Sequence, residues 1–181
     1  LSESLIFLAS LVRLIFRGGS PGFLSLFRGM KTSDFGLKMI KLAEGTVLHV
    51  YKDQAGLDTI GVGHLLTADD KATGRYVQGI TDEQATDLLR SDLSKAESAV
   101  LKLVKVPINQ NQFDALVDFV FNCGETALRI STLLKKINAK DFAGVPAEFL
   151  KWNKITVKGK KVASAGLTRR RQREADLFKK V

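Results

Sequence analysis

Hydrophobic residues recur three and four positions apart along much of the chain, a pattern that predicts a largely helical protein. The first helix is expected over residues 33–44, because Thr32 or Ser33 can serve as its N-cap and Gly45 lies just past its end. A longer helix is expected over residues 82–104, since a capping box of sequence Thr-Asp-Glu-Gln opens it.

The same start and stop signals predict further helices in the C-terminal half. They are expected over residues 113–122 after a cap at Asn109, over 132–138 after Ser131, from 142 to 152 after Asp141, and over 168–180. A basic turn is expected at residues 158–161. In the last helix, four arginines are expected to face solvent: Arg169, Arg170, Arg171 and Arg173.

A β-rich segment separates the first helix from the long one. The pattern predicts a strand at residues 49–51, a turn at 53–56 and a returning strand at 59–62. Residues 67–74 have the composition of a loop, and a short third strand is expected at residues 76–77. A small hairpin region among many helices predicts the α+β class.

The composition is that of a globular protein, with 181 residues of which 45% are hydrophobic, enough for one domain with a packed core. The net charge of +9 is concentrated near the end of the chain. Residues 151–181 hold eleven Lys and Arg against two acids, which accounts for the whole excess. Such a face attracts polyanions such as bacterial walls, outer-membrane surfaces or nucleic acid, or is simply solvated.

Metal and thiol chemistry find little support in the sequence. Cys123 is the single cysteine and lies in an apolar helical run, so we expect a buried structural thiol rather than a nucleophile. His49 and His64 are the only histidines, and no Cys/His cluster has metal-ligand spacing. We therefore expect no metal and no cofactor.

Residues 1–29 carry a different pattern. Apolar residues dominate positions 5–16, and Arg13 and Arg17 fall on one narrow side of a helical wheel, which is typical of a helix at a membrane interface. The run is too short and too interrupted for a spanning helix, which needs about 20 mainly apolar residues. A natural leader or anchor, a fused membrane-active peptide and a segment packed on the domain all remain open. Met30 lies just before the helical pattern begins, where the first residue of a separate enzyme would lie. We therefore predict that residues 1–29 are an appended segment.

The stretch from Glu44 to Thr59 carries the candidate chemistry. A carboxylate at the end of a helix, followed by a hairpin, allows Glu44 to lie on one side of a groove and Asp53 with Thr59 on the other. Cleavage of a glycosidic bond needs one carboxylic acid to protonate the leaving oxygen and a second group to position water. An ordinary glutamate is ionised at neutral pH, so the acid has to be partly desolvated.

The spacing Glu-x8-Asp-x5-Thr, followed by Ile-Gly-Val-Gly-His, resembles the catalytic signature of the phage-type lysozymes, the T-even phage lysozyme family or glycoside hydrolase family 24. The resemblance covers about residues 33–181. It implies an endolysin that hydrolyses the β-1,4 bond between N-acetylmuramic acid and N-acetylglucosamine in peptidoglycan for host lysis. Glu44 is then the general acid, Asp53 and Thr59 handle the water, and the outcome at the sugar is inversion.

The family also implies a fold and a domain plan. A small β-containing lobe (about residues 45–80) is joined by the long helix (about 82–104) to a helical lobe (about 107–181 with helix 33–44), and a cleft separates the lobes. The catalytic domain is then residues 30–181, and residues 1–29 are the appended segment. The resemblance further implies a monomer, made in the host cytoplasm, that acts on the wall from the periplasmic side.

Four more residues are candidates near this site. Gly63 and Leu65 continue the motif and are expected to line the cleft. We expect His64 to be structural, hydrogen-bonded to Asp92 or to another carboxylate of the long helix. Trp152 has two interpretations, as a stacking platform for sugar or, more often for a Trp among helices, as part of the core.

Three other functions would use parts of the same sequence. A lytic transglycosylase needs a glutamate but no water-positioning pair, so Asp53 and Thr59 argue against it. An antibacterial protein that binds membrane or wall through its amphipathic N-terminus and basic C-terminus is compatible with the charge pattern. Nucleic-acid binding through residues 169–173 lacks any recognised module, so we expect no nucleic-acid partner.

Overall fold

Helices contain most of residues 29–180, the part of the chain that the computed structural model describes. The predictions for residues 1–29 fall almost wholly outside this part. The elements in chain order are α1 (Asp34–Glu44), β1 (Val47–Lys52), β2 (Asp58–Gly61), β3 (His64–Leu65), α2 (Ala68–Thr73), α3 (Asp82–Asp92), α4 (Ser94–Leu103), α5 (Gln110–Cys123), α6 (Glu125–Ile130), α7 (Thr132–Asn138), a 3₁₀ turn (Phe142–Gly144), α8 (Val145–Leu150), β4 (Lys154–Val157), β5 (Lys160–Ala163) and α9 (Ala165–Phe178).

The first sheet is an antiparallel meander in the order β1-β2-β3. Thr59 pairs with Tyr51 on one side and with Leu65 on the other. The predicted hairpin is confirmed, but the third strand is His64–Leu65 rather than residues 76–77. Backbone bonds within residues 74–79 make that later segment a series of turns, with N–O distances of 3.1 and 2.9 Å.

The predicted loop at residues 67–74 was also wrong, because it contains α2. Thr67 and Asp70 form a reciprocal capping box, in which the Thr67 hydroxyl accepts from the Asp70 N–H and Asp70 accepts from the Thr67 N–H at 2.9 Å. Gly74 then ends the helix in the left-handed conformation, with φ of +63°. Good capping at both ends stabilises a short helix whose composition is otherwise polar.

The long helix has the predicted extent and is divided in two. Thr81 and Gln84 form the expected capping box at its start. Leu93, fully buried, ends α3 and begins α4 with a ψ of −15°. The two halves are linked by backbone bonds of 2.9 Å into and out of Leu93.

Helix α5 is the centre of the helical part. Asn109 caps it as predicted, and every residue from 113 to 120 is buried, because α1, α4, α6 and α9 all pack against it. Phe119 contacts Phe149 and Trp152 edge to face, with ring centroids 5.7 and 5.4 Å apart. A helix buried on all sides has to bury its polar residues too, which matters for the site.

The C-terminal segment differs from its prediction in two ways. The basic turn is confirmed as the two-residue loop of an unpredicted hairpin, β4–β5, in which Lys158 and Gly159 have φ of +48° and +77°. In α9 the expectation of four solvent-facing arginines was wrong, since Arg170 and Arg171 are only 5% and 0% exposed. Within residues 29–180, no helix combines the length and hydrophobicity needed to cross a membrane.

Candidate active site

Glu44 is the last residue of α1, a helix fixed firmly at its other end. The Ser33 hydroxyl caps α1 by accepting from the Gly36 N–H at 3.1 Å, and it donates to Asp114 of α5. Thr32 donates its N–H and its hydroxyl to Glu97 of α4, at 2.8 and 2.9 Å. Two buried carboxylates therefore anchor the start of the helix that carries Glu44.

The contact between α1 and α5 is very close at Gly36. A Cβ at this position would lie 2.8 Å from Cγ of Asp114 and 2.8 Å from Cγ2 of Thr32, well inside van der Waals contact. Only glycine fits there, so α1 is held tightly against the central helix. The position of the Glu44 carboxylate therefore follows from helix packing rather than from a mobile loop.

The Glu44 carboxylate lies at the edge of a pocket of about 330 Å³ formed by α1, α5 and the start of α9. Its side chain is 32% exposed. Polar lining residues include Asn122, Ser164 and Arg169. Arg170 reaches Glu44 from the protein side, with Nη1 at 2.5 Å from Oε1. Glu44 is thus open to the pocket on one side and ion-paired on the other.

Arg170 bridges two helices. Its Nε and Nη2 both donate to Oδ1 of Asp118 on α5, at 3.0 and 2.5 Å. The guanidinium therefore uses one edge for Asp118 and its remaining nitrogen for Glu44 on α1. The sequence prediction missed both Asp118 and Arg170. The one available signal was an Asp in an otherwise apolar helix, because a buried carboxylate requires a partner.

Behind this pair lies a second buried ion pair, Arg171 with Glu174, at 2.7 Å. Arg171 also donates to Asn122 at 2.9 Å and lies 5.1 Å from the centroid of the Phe119 ring. Burial raises the pKa of the Glu174 carboxyl well above its usual range, and the repulsion from Asp118 adds to that effect. Oε2 of Glu174 has no hydrogen-bond partner within the described residues.

Cys123 belongs to this buried cluster. Its sulfur accepts a hydrogen bond from Nη1 of Arg171 at 2.8 Å, and the residue is half-buried rather than fully buried as predicted. Burial raises the pKa of the thiol, against the opposing charge of Arg171. A thiol held neutral is a poor nucleophile, so these contacts support the structural role.

Glu174→Gln is expected to make stability less sensitive to alkaline pH. A carboxyl whose folded pKa is raised stabilises the fold fully below its ordinary value of 4.5, and that stability is lost as pH rises through the folded pKa. Glutamine is the neutral isostere, so the variant should match the wild type at pH 4.5 and exceed it at pH 8. Urea unfolding at both pH values measures this, with exposed Glu83→Gln as control. Equal pH dependence in wild type and variant would show that Glu174 is ionised.

Asp53 and Thr59 lie together in the β1–β2 hairpin. Oδ1 of Asp53 accepts from the N–H groups of Ala55 and Leu57, both at 2.8 Å. Thr59 is buried, and its hydroxyl donates to the carbonyl of Leu57 at 3.1 Å. Within the described residues, Oδ2 of Asp53 accepts no hydrogen bond. Oδ2 of Asp53 and the lone pairs of the Thr59 hydroxyl therefore remain available as hydrogen-bond acceptors. Neither residue lines the pocket at Glu44.

The other predicted residues divide between the sheet and the core. Nδ1 of His64 lies 3.0 Å from Oδ2 of Asp92, which identifies its partner on the long helix. Leu65, half exposed, pairs with Thr59, and Gly63 is exposed with φ of +82°. Trp152 meets Phe119 at 90° in the aromatic core and does not line the pocket at Glu44. Residues 29–180 contain no group of three or more His, Cys, Asp or Glu arranged to hold a metal ion.

Known proteins share this sequence pattern and this architecture. A family model described as "Phage lysozyme" matches residues 41–174. The endolysin of Acyrthosiphon pisum secondary endosymbiont phage 1 is 44% identical over 151 residues, covering 82% of this chain and 98% of that protein. The structure of the endolysin from Escherichia coli O157:H7 phage FAHEc1 has a TM-score of 0.71 and 42% identity, covering 83% of this chain and 94% of that one.

A second structural neighbour extends the similarity beyond phage proteins. The muramidase domain of SpmX from Asticaccaulis excentricus has a TM-score of 0.74 and 34% identity, covering 84% of this chain and all of that domain. These neighbours confirm the predicted α+β lysozyme-like fold. The family match spans Glu44, both sheets and most of α9. The chain therefore belongs to the phage lysozyme family and is a glycoside hydrolase of lysozyme type.

Proposed function

We propose that the protein is an endolysin that hydrolyses the β-1,4 bond between N-acetylmuramic acid and N-acetylglucosamine in peptidoglycan, and that it is of the T-even type, glycoside hydrolase family 24. The observation that carries the proposal is the Glu44 carboxylate, fixed at the end of an anchored helix and open to a polar pocket. The endolysin and muramidase relatives support the substrate class. We further propose that it acts as a monomer.

Glu44 is the general acid in this mechanism. In its protonated form it donates to the glycosidic oxygen as the bond from that oxygen to the sugar C1 breaks, which leaves a carboxylate and a sugar with oxocarbenium character. Arg170, 2.5 Å from Oε1, stabilises the carboxylate that remains after proton transfer. A charge-assisted hydrogen bond of this kind is stronger than one between neutral groups.

Asp53 and Thr59 hold the attacking water. The two backbone N–H groups on Oδ1 fix the Asp53 carboxylate, which leaves Oδ2 to accept a proton from water as its oxygen bonds to C1. The Thr59 hydroxyl, which donates to Leu57, accepts from the same water. Attack on the face opposite the leaving group inverts the anomeric centre, as in glycosidases whose carboxylates are about 6.5–9.5 Å apart.

The test is the chemistry of the new chain ends. Purified peptidoglycan digested by the full chain should yield fragments whose reducing ends are N-acetylmuramic acid, detected as the alcohol after borohydride reduction. New reducing ends on N-acetylglucosamine would assign the other glycosidic bond. Fragments ending in 1,6-anhydro-muramic acid would make the protein a lytic transglycosylase.

We also propose that the β4–β5 hairpin contacts the polyanionic wall. Every residue of both strands is exposed, and no acidic residue occurs between Lys151 and Arg173. This surface replaces the predicted arginine face, since Arg170 and Arg171 are buried in ion pairs. Its exposed cations are Lys154, Lys158, Lys160, Lys161 and Arg169.

Replacing the four hairpin lysines with glutamine should weaken binding to intact walls and flatten its salt dependence, because exposed charges are screened over about 8 Å at physiological ionic strength. Cosedimentation with walls at low and high salt measures the effect. The matched control carries the same charge change at exposed lysines elsewhere: Lys38, Lys95, Lys135 and Lys140. Equal effects of the two sets would assign binding to net charge rather than to the hairpin.

We propose that residues 1–29 form an appended segment that seeks anionic membrane while the catalytic domain, residues 30–181, acts on the wall after synthesis in the host cytoplasm. A chain beginning at Met30 should digest purified peptidoglycan as fast as the full chain and bind anionic vesicles less, since each arginine near such a surface contributes about 1 kcal/mol. The full chain with Arg13→Gln and Arg17→Gln is the charge control. Loss of activity on purified wall after truncation would make the segment part of the enzyme.

A further inference from the structure

Arg170 lies between two carboxylates that belong to different helices. Its side chain is 6% exposed, and Asp118, on the inner side, is 2% exposed. Asp118 takes two of the guanidinium nitrogens and Glu44 takes the third. Of the two carboxylates, only Glu44 opens onto the pocket. The proposed mechanism uses Glu44 and Arg170 and leaves Asp118 without a role.

The charges around Arg170 limit what Asp118 can do. Glu44, Asp118 and Glu174 face two guanidinium groups, Arg170 and Arg171. Burial raises the pKa of Glu174 well above its usual value, and burial also raises the pKa of Asp118, against the opposing positive charge of Arg170. Two hydrogen bonds from Arg170 stabilise the ionised form of Asp118, so Arg170 lies between two carboxylates. Arg169 and Arg173 line the pocket at Glu44 and add positive charge on that side.

A guanidinium in direct contact with a general acid creates a conflict. A cation within hydrogen-bond distance favours the ionised carboxylate, whereas catalysis requires Glu44 to be protonated when substrate binds. A second carboxylate on the same guanidinium opposes part of that attraction and fixes the guanidinium plane through two hydrogen bonds. Asp118 has both properties.

We propose that Asp118 is a positioning residue for the hydrolytic step: it holds Arg170 against Glu44 and offsets part of the positive charge that Glu44 experiences. The role rests on the proposed function of Glu44 as general acid. Asp118 touches neither substrate nor reacting atoms and acts through Arg170 alone.

The proposal predicts opposite shifts for two substitutions. Asp118→Asn leaves Glu44 alone with the full charge of Arg170, so the alkaline limb of the pH–rate profile, which reports loss of the acid's proton, should move to lower pH by about one unit. Arg170→Gln removes the cation, so the same limb should move to higher pH by about one unit or more. A purely structural role for Asp118 would lower stability or total activity without moving the limb.

The experiment measures initial rates of the full chain on purified peptidoglycan from pH 4 to 9. Four proteins are compared with wild type: Asp118→Asn, Arg170→Gln, the double variant and Asp176→Asn. Asp176 is an exposed carboxylate in α9, the helix that carries Arg170, and it is hydrogen-bonded to Gln172 and Lys179. Its substitution removes an equal charge outside the buried cluster, so the alkaline limb should stay in place. Circular dichroism establishes folding of each variant at every pH used.

The double variant tests whether Asp118 acts through Arg170. Without the arginine, removal of the Asp118 charge should have little further effect, so the limb of the double variant should coincide with that of Arg170→Gln. The proposal would be overturned if the alkaline limb of Asp118→Asn did not move, or moved to higher pH. It would also be overturned if Asp118→Asn shifted the limb equally in the presence of Arg170 and in the Arg170→Gln background. If Asp118→Asn does not fold, Arg170→Gln still tests the proposal. An unmoved limb in Arg170→Gln would show that the charge of Arg170 does not act on Glu44, which is the premise of the proposal. Inactivity of the wild type on peptidoglycan would instead reject the proposed function.

Discussion

Replacing Glu44 with glutamine should lower the turnover of peptidoglycan by a factor of about 10²–10⁴, the range that general acid catalysis contributes. Glutamine has the shape of glutamate and keeps an oxygen that can accept from Arg170, but it has no proton to give at the required acidity. The anchors of α1 lie at the far end of the helix, at Thr32 and Ser33, so they remain intact. The expected result is a folded and nearly inactive enzyme.

Initial rates on purified peptidoglycan, with circular dichroism as the check on folding, measure this effect. Glu83→Gln is the matched control, because it makes the same chemical change at an exposed position in the first turn of α3. This control should retain full activity. Near-normal turnover by folded Glu44→Gln would remove Glu44 from the role of acid and with it the basis of the mechanism.

The second large effect is expected at the water site. Asp53→Asn keeps an oxygen for the N–H groups of Ala55 and Leu57, so the turn should hold, but the amide cannot accept a proton. We expect a loss of about 10²–10⁴-fold in turnover. Thr59→Val removes only the hydroxyl, so a smaller loss of about tenfold is expected, since one hydrogen bond contributes roughly 0.5–1.5 kcal/mol.

These two variants are measured against Asp69→Asn, an exposed carboxylate on α2, with the same substrate and the same folding check. The order of effects matters as much as their size. If Asp53→Asn turned over peptidoglycan as fast as the control, water would have to be activated elsewhere, and the hairpin would be a purely structural element.

The elements that the sequence predicted well are those determined within a few residues. Ser33, Thr81, Asn109 and Ser131 each cap a helix as expected, because a cap needs only a side-chain oxygen and an N–H two or three residues later. The hairpin that bears Asp53 and Thr59 follows equally from a local turn and alternating strands. The third strand was predicted in the wrong place, because a pair of apolar residues occurs in turns as readily as in strands and does not distinguish the two.

The surroundings of Glu44 depend on contacts between distant parts of the chain. Arg170 and Asp118 are 52 positions apart, and Arg170 and Glu44 are 126 apart. A run of arginines near a C-terminus resembles a solvated surface, and nothing adjacent in sequence shows that two of them turn inward. The nearest indication was chemical: Asp114 and Asp118 lie in a helix too apolar to be solvated, so each requires a buried partner.

The central claim is that Glu44 protonates the leaving oxygen while a water held by Asp53 and Thr59 attacks the opposite face of the sugar. The configuration of the first-formed reducing end tests it most directly. Proton NMR of a peptidoglycan digest, recorded before mutarotation equilibrates the anomers, should show the α-anomer of N-acetylmuramic acid, since attack on a β-linked sugar by inversion gives α. Initial formation of the β-anomer, or of 1,6-anhydro ends, would contradict the account.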